Sequence, residues 1–206
     1  MRTVILHYHL FKNAGTSVDQ VLRKNFGNKW ITAEFPPAGG NNSAMIGAWI
    51  RQNPDAVAFS THTGAGPVPV VKDVNIISVM FLRDPIERIK SAYRFETKQG
   101  VDNFGSVLAR HTDFNGYVRT RLALPNDRQC RNFQTSRLAS VNPGPENELP
   151  RAKAAKKQIS LIGYVEEFDA SMMKFEELIK PAFPEFKFEP AHANRTKKSS
   201  LMDEEL

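Results

Sequence analysis

Short β-branched runs alternate along this chain with stretches of helical spacing. Thr3 to His9 is rich in β-formers and is expected to be the first strand. After it, Val18, Val21, Leu22 and Phe26 recur at helical intervals, and Gly27 supplies a C′ stop. Ser17 followed by Gln20 resembles a capping box at the start of that helix. A short helix is expected over 44–52, and Ala56 to Thr61 reads as a buried strand ending at His62. Val74 to Leu82 is the most apolar run, and its length and β-branching mark a central strand. Asp84 then caps a new helix, with Pro85 at N1, Glu87 at N3, and Ile86, Ile89 and Tyr93 expected to face the core. Residues 103–138 read as mostly helical and polar, and 142–150 as a turn-rich surface connection. Ile159 to Val165 is a further strand, followed by a helix from Ser171 to Lys180 with Met172, Phe175 and Leu178 turned inward.

Strands that alternate with helices imply a three-layer α/β/α domain around a central parallel sheet. Ligands in such sheets lie beyond the C-terminal ends of the strands. His9, His62 and Arg83 all fall at such ends, so the pattern predicts that they converge. With no repeat or low-complexity block, 1–206 is expected to form a single domain.

Composition narrows the class. Hydrophobic residues make up 41% and charged residues 24%, as in an ordinary globular protein. The formal charge of +6 favours an anionic partner: nucleic acid, an acidic polymer or a phosphorylated cofactor. The single cysteine, Cys130, excludes an intrachain disulfide. The N-terminus lacks the apolar core of a signal peptide, and no run is long enough to span a membrane, so a cytoplasmic protein without a membrane anchor is expected. The sequence carries no signature of a particular oligomer.

Two stretches carry the candidate chemistry. Lys12-Asn13-Ala14-Gly15-Thr16-Ser17 lies between the first strand and its helix. Gly15 permits close backbone approach, the hydroxyls of Thr16 and Ser17 add donors, and a helix start offers free N–H groups to an anion. The order differs from the G-x-x-x-x-G-K-[ST] loop of ATP and GTP sites, because the lysine precedes the glycine. A plain βα turn with a surface lysine is the alternative. The second stretch runs from Phe81 to Tyr93, FLRDPIERIKSAY. Arg83 ends a buried strand, where an unpaired guanidinium is costly, so it calls for an anion or for pairing with Asp84 or Glu87. Ser91 follows about two helical turns later. His7 and His9 share one strand face, but no acidic or cysteine cluster accompanies them in sequence, so no metal site is expected.

Taken together, the two stretches resemble the sulfotransferases that use 3′-phosphoadenosine 5′-phosphosulfate (PAPS), most closely the carbohydrate branch typified by heparan sulfate 2-O-sulfotransferase. KNAGTS is similar to that family's 5′-phosphosulfate loop, a P-loop-like element, and RDPIERIKSAY to its 3′-phosphate motif. Asn132 to Ser136, Ile162 to Glu166 and His192 to Thr196 are weaker echoes. The resemblance implies that Lys12 stabilises the bridging oxygen between sulfate and 5′-phosphate, and that Ala14 to Ser17 line the 5′-phosphate. It implies that Arg83 and Ser91 hold the 3′-phosphate, and that Arg195, Thr196 and Lys197 close over the cofactor. His62 becomes the expected base, at a strand end where relatives often carry H-x-H; here Ser60 replaces the first histidine. His9 matches a histidine just before the lysine loop of many relatives, and Phe11 stands where proline is usual. The implied products are a sulfate ester and 3′-phosphoadenosine 5′-phosphate, the implied acceptor is a hydroxyl of a carbohydrate or related molecule, and the implied form is a soluble, bacterial-type enzyme. Neither nucleic acid nor a metal enters this reading. Two other classes stay open: a nucleotide kinase or NTPase of related fold, and a non-catalytic binder of acidic polymers using KAAKK at 153–157 and the basic tail.

Overall fold

A computed structural model describes residues 1–36 and 40–190. The five strands are β1 (Arg2–Tyr8), β2 (Trp30–Thr32), β3 (Ala58–Thr61), β4 (Val74–Leu82) and β5 (Leu161–Tyr164). They form one sheet in the order β2-β3-β1-β4-β5, and every pairing is parallel. The protein is therefore α/β, with helices covering both faces of the sheet, as the alternating pattern predicts.

The alternation of β1 explains the layers. Val4, Leu6, Tyr8 and Leu10 point to one face, where they join Ile46 and Ile50 of α2 (Ser43–Gln52), Leu138 and Val141 of α6 (Phe133–Val141), and Ala152 and Ala155 of α7 (Glu148–Ala155). Ile5 points to the other, against Val18 and Leu22 of α1 (Gly15–Phe26) and Met172, Phe175 and Ile179 of α8 (Phe168–Ile179). A third, smaller cluster of Ile89, Ala109 and Tyr117 joins α3 (Pro85–Lys98), α4 (Phe104–His111) and α5 (Phe114–Ala123). Beside it, Arg121 donates to Glu96 and Asp127, and the Tyr117 hydroxyl donates to Glu96 Oε2 at 2.6 Å. Each charge of that buried group thus has a partner.

Several local expectations change. The three-residue β2 carries no alternation long enough to be read from sequence, and its pairing with β3 supplies the missing signal. Ser17 does not cap α1: Ala14 is the N-cap residue, in the left-handed region at φ 58°, with no side-chain cap. Ile86 is 56% exposed because it sits in the first turn of α3, ahead of the point where that helix meets its neighbours. In α8 the exposed Leu178 gives its place to Ile179, which continues the face set by Met172 and Phe175. The region 142–150 is a connection only in its first half, since α7 starts at Glu148. Among the described residues, no helix is long and apolar enough to cross a membrane.

The Asp84 carboxylate accepts the N–H groups of Ile86 and Glu87, each at 2.9 Å, satisfying two of the free donors at the start of α3. Asp84→Ala is therefore expected to cost about 1 kcal/mol. Thermal unfolding followed by circular dichroism should show a midpoint lower by roughly 2–4 °C.

Candidate functional site

The three strand ends do converge. His9 follows β1, His62 follows β3 and Arg83 follows β4, and all three line one cavity of about 330 Å³. Phe11, Lys12, Ala14, Gly15, Thr16, Ser17, Ser91 and Phe95 complete its wall. Adjacent parallel strands that end in register force this meeting: Tyr8 pairs with Thr61 on one side and Met80 on the other.

The loop after β1 is bent by two non-glycine residues in the left-handed region, Lys12 at φ 62° and Ala14 at φ 58°. Such conformations are strained and persist only where the surroundings enforce them. Asn13, between them, is that enforcement. Its side chain is buried, and Nδ2 donates to the Phe81 carbonyl at 2.8 Å and to Gln134 Oε1 at 2.6 Å. Of the stretch from Lys12 to Ser17, Asn13 is therefore the one residue that does not line the cavity, because its amide is spent on holding the loop to β4. The bend leaves the N–H groups of Ala14, Gly15 and Thr16 without a protein acceptor among the described residues. Gly15 is required sterically: a Cβ there would lie 2.1 Å from the His9 ring.

Both cations of the cavity lack acidic partners. Neither Lys12 nor Arg83 forms an ion pair among the described residues, and no carboxylate lines the cavity. Arg83 Nη1 donates to the Lys12 carbonyl at 3.3 Å, while its buried Nε has no acceptor. Asp84, which the sequence offered as a partner, caps α3 instead, and Glu87 pairs with Lys90 at 2.7 Å. The Lys12 ammonium lies 4.5 Å from the centre of the Phe95 ring. Burial first, and the neighbouring Arg83 charge second, lower the Lys12 pKa from its ordinary value. An anion in the cavity would offset the repulsion between these two cations.

Gln134 braces this arrangement. Its Oε1 accepts from Asn13 Nδ2 and from the Arg83 N–H at 2.7 Å, and its Nε2 donates to the Arg83 carbonyl at 2.8 Å. One side chain thus fixes the lysine loop against the arginine at the end of β4, which gives the Asn132 to Ser136 segment a physical role. The Ile162 to Glu166 segment has one too. Glu166 Oε1 accepts the Asp84 N–H at 2.9 Å, and Gly163 lets β5 approach the Phe81 ring, which a Cβ would meet at 2.6 Å.

The histidines are organised by a residue that no motif marked. Asp19, in α1, accepts from His7 Nδ1 at 2.8 Å, from His9 Nδ1 at 2.7 Å and from the Ser60 hydroxyl at 2.6 Å. Burial raises the Asp19 pKa, but the hydrogen bonds from His7 and His9 outweigh it and hold the carboxyl well below its ordinary range. Ser60 also accepts from the Trp30 indole at 3.1 Å. His7 is fully buried, its Nε2 has no partner, and burial lowers its pKa. The premise that no acidic residue accompanies His7 and His9 is thus corrected: the potential ligand atoms of His7, His9 and Asp19 lie within 4.8 Å of one another. Both Nδ1 atoms are committed to Asp19 as hydrogen-bond donors, so the cluster works as a clamp that fixes the His9 ring.

That ring lies against His62, with centroids 3.9 Å apart and the two planes tilted by 37°. His62 Nδ1 lies 2.5 Å from Glu34 Oε1, and Glu34 also accepts the N–H groups of His62 and Thr63. Arg137 donates to the carbonyls of His62 and Gly64, both at 2.9 Å, and secures the turn from behind. The Cys130 thiol lies apart from the cavity, and burial pushes its pKa up to about 11, which removes it from consideration as a nucleophile. Arg195, Thr196 and Lys197 lie outside the described residues.

The fold and the loop define an α/β protein with a cleft at its strand ends that Lys12 and Arg83 line and that no carboxylate lines among the described residues. The chain belongs to the same family as an uncharacterized protein of Archaeoglobus fulgidus, to which it is 45% identical over 196 residues, covering 90% of this chain and 77% of that protein. No protein-family model matches the sequence.

Two predictions arise from these contacts. The folded-state pKa values of His7 and Asp19 are both depressed, so between the folded and unfolded values the unfolded chain binds more protons. Stability should therefore fall with pH, first below about 6.5 as unfolded His7 charges, then below about 4 as unfolded Asp19 is protonated. Urea unfolding across pH 3–8 reads this, and Asp19→Asn should flatten the acidic part of the curve. Separately, Gln134→Leu removes one of the two acceptors of the Asn13 amide, strands the Arg83 N–H and carbonyl, and is expected to cost about 2–3 kcal/mol in urea unfolding.

Proposed function

We propose that this protein is a PAPS-dependent sulfotransferase acting on a hydroxyl of a carbohydrate or related acceptor. The observation that carries the reading is a cavity, free of carboxylates among the described residues, that brings Lys12 and Arg83 together with three N–H groups unpaired among those residues, beside an accessible histidine. A doubly phosphorylated donor supplies the anions such a cavity lacks. In this reading Ala14 to Ser17 receive the 5′-phosphosulfate, while Arg83 and Ser91 receive the 3′-phosphate. A second cavity of about 350 Å³ shares Arg83 and has an apolar floor of Leu82, Leu138, Leu149 and Ala152, which suits the purine ring. Polar groups for the acceptor are at hand in a cavity of about 720 Å³ lined by Asn41, Asn42, Ser43 and Arg51. Asn42 ties that cavity to the Thr63 carbonyl, next to His62.

The chemistry is an in-line displacement at sulfur. The acceptor hydroxyl gives its proton to His62 as its oxygen bonds to sulfur. The bond from sulfur to the bridging oxygen breaks, and its electron pair leaves on the 5′-phosphate, where the Lys12 ammonium offsets the growing charge. The products are a sulfate ester and 3′-phosphoadenosine 5′-phosphate.

A kinase or NTPase activity competes for the same cavity and would need a carboxylate to hold Mg²⁺ near the phosphates; none lines it among the described residues. Thermal-shift titration separates the two. 3′-Phosphoadenosine 5′-phosphate should raise the melting midpoint and ATP–Mg²⁺ should not; the reverse result overturns the sulfotransferase reading. With labelled sulfate, Lys12→Ala should lose about 3 kcal/mol of barrier lowering, roughly 100-fold in kcat. His62→Ala should lose roughly 100-fold or more. Full turnover in both variants would remove the assigned roles.

A further inference from the structure

Glu34 sits in the stretch after β2, a region the sequence leaves without a motif, yet it makes four contacts to one turn. Its carboxylate accepts the N–H groups of His62 and Thr63 and lies 2.5 Å from His62 Nδ1. Burial raises the Glu34 pKa, but the hydrogen bonds from His62 and Thr63 outweigh it and keep the carboxyl below its ordinary value. An ionised carboxylate only accepts hydrogen bonds, so the proton of that contact sits on His62 Nδ1. Nε2 of the neutral ring then carries a lone pair. Close contact with the His9 ring, 3.9 Å between centroids, restricts how the His62 ring can turn, and His9 is itself fixed by Asp19. Two carboxylate–imidazole pairs therefore meet, ring against tilted ring, at the edge of the cavity. Only the His62 side chain is open, at 55% exposure against 10% for His9.

We propose that Glu34 is a positioning residue for proton transfer: it holds His62 in the Nδ1–H tautomer, so that Nε2 receives the acceptor's hydroxyl proton. This assignment rests on the sulfotransferase reading. When the hydroxyl proton arrives at Nε2, the ring becomes an imidazolium whose charge faces the Glu34 carboxylate, while the oxygen–sulfur bond forms and the sulfur–phosphate oxygen bond breaks. Without the carboxylate, the ring is free to place its proton on Nε2, where it can accept nothing. The pair is half exposed before substrate binds, so its effect is on tautomer and orientation rather than on stability.

The groups facing His62 are Glu34 from the segment after β2, His9 and Asp19 from the β1–α1 side, Lys12 and Arg83 across the cavity, and Arg137 of α6 behind its carbonyl. Nitrogen-15 NMR of imidazole-labelled protein reads the tautomer directly in the unaltered chain, with or without activity. His62 should be protonated at Nδ1; protonation at Nε2 overturns the proposal. Glu34→Ala should give a mixture of tautomers and lower kcat roughly 10- to 100-fold, with KM for PAPS within about twofold. Glu34→Asp should restore part of kcat. An unchanged tautomer and kcat in Glu34→Ala also overturns it. A protein that transfers no sulfate yet holds His62 at Nδ1–H refutes the sulfotransferase reading alone.

Discussion

Asp19 is the contact on which the cleft depends. A single carboxylate in the second turn of α1 is shared by His7 of β1, by His9 just beyond it and by Ser60 of β3, so it fastens the helix to two neighbouring strands at once. A buried carboxylate without donors would be costly, and here every donor comes from a residue whose position the sheet already sets. The His9 ring follows from that clamp, and Gly15 follows from the ring, since nothing larger fits beneath it. The strained loop and the His62 ring that rests against His9 are built outward from the same point.

The cleft's charge balance is the second constraint. Arg121 has Glu96 and Asp127, whereas among the described residues Lys12 and Arg83 have only a ring and a backbone carbonyl. Two neighbouring cations with no carboxylate partner among those residues form an arrangement that an external anion would stabilise. The strained backbone at Lys12 and Ala14 fits that economy, because strain concentrates where geometry serves binding rather than stability.

Much of this was legible in the sequence, for a definite reason. β1, β3 and β4 carry continuous apolar runs, so their C-terminal ends, and with them His9, His62 and Arg83, could be located to within a residue or two. KNAGTS and RDPIERIKSAY could be recognised because backbone geometry constrains each within a few residues. Asp19, Glu34 and Gln134 escaped because their roles are tertiary. Asp19 reads as an ordinary helix-surface acid, Glu34 follows a strand too short to show alternation, and Gln134 acts on residues far from it in the chain. A search for polar side chains flanking each strand end would have raised Glu34, but only the pairing of β2 with β3 brings it to His62.

The brace formed by Gln134 has a consequence for how the molecule responds to its surroundings. α6 packs on α7 along the outside of the domain, while its first turn grips both the anion loop and the end of β4. Any ligand that tightened the lysine loop would thereby favour order in this helical pair, and the reverse would hold with equal strength. The whole of that connection runs through one amide side chain.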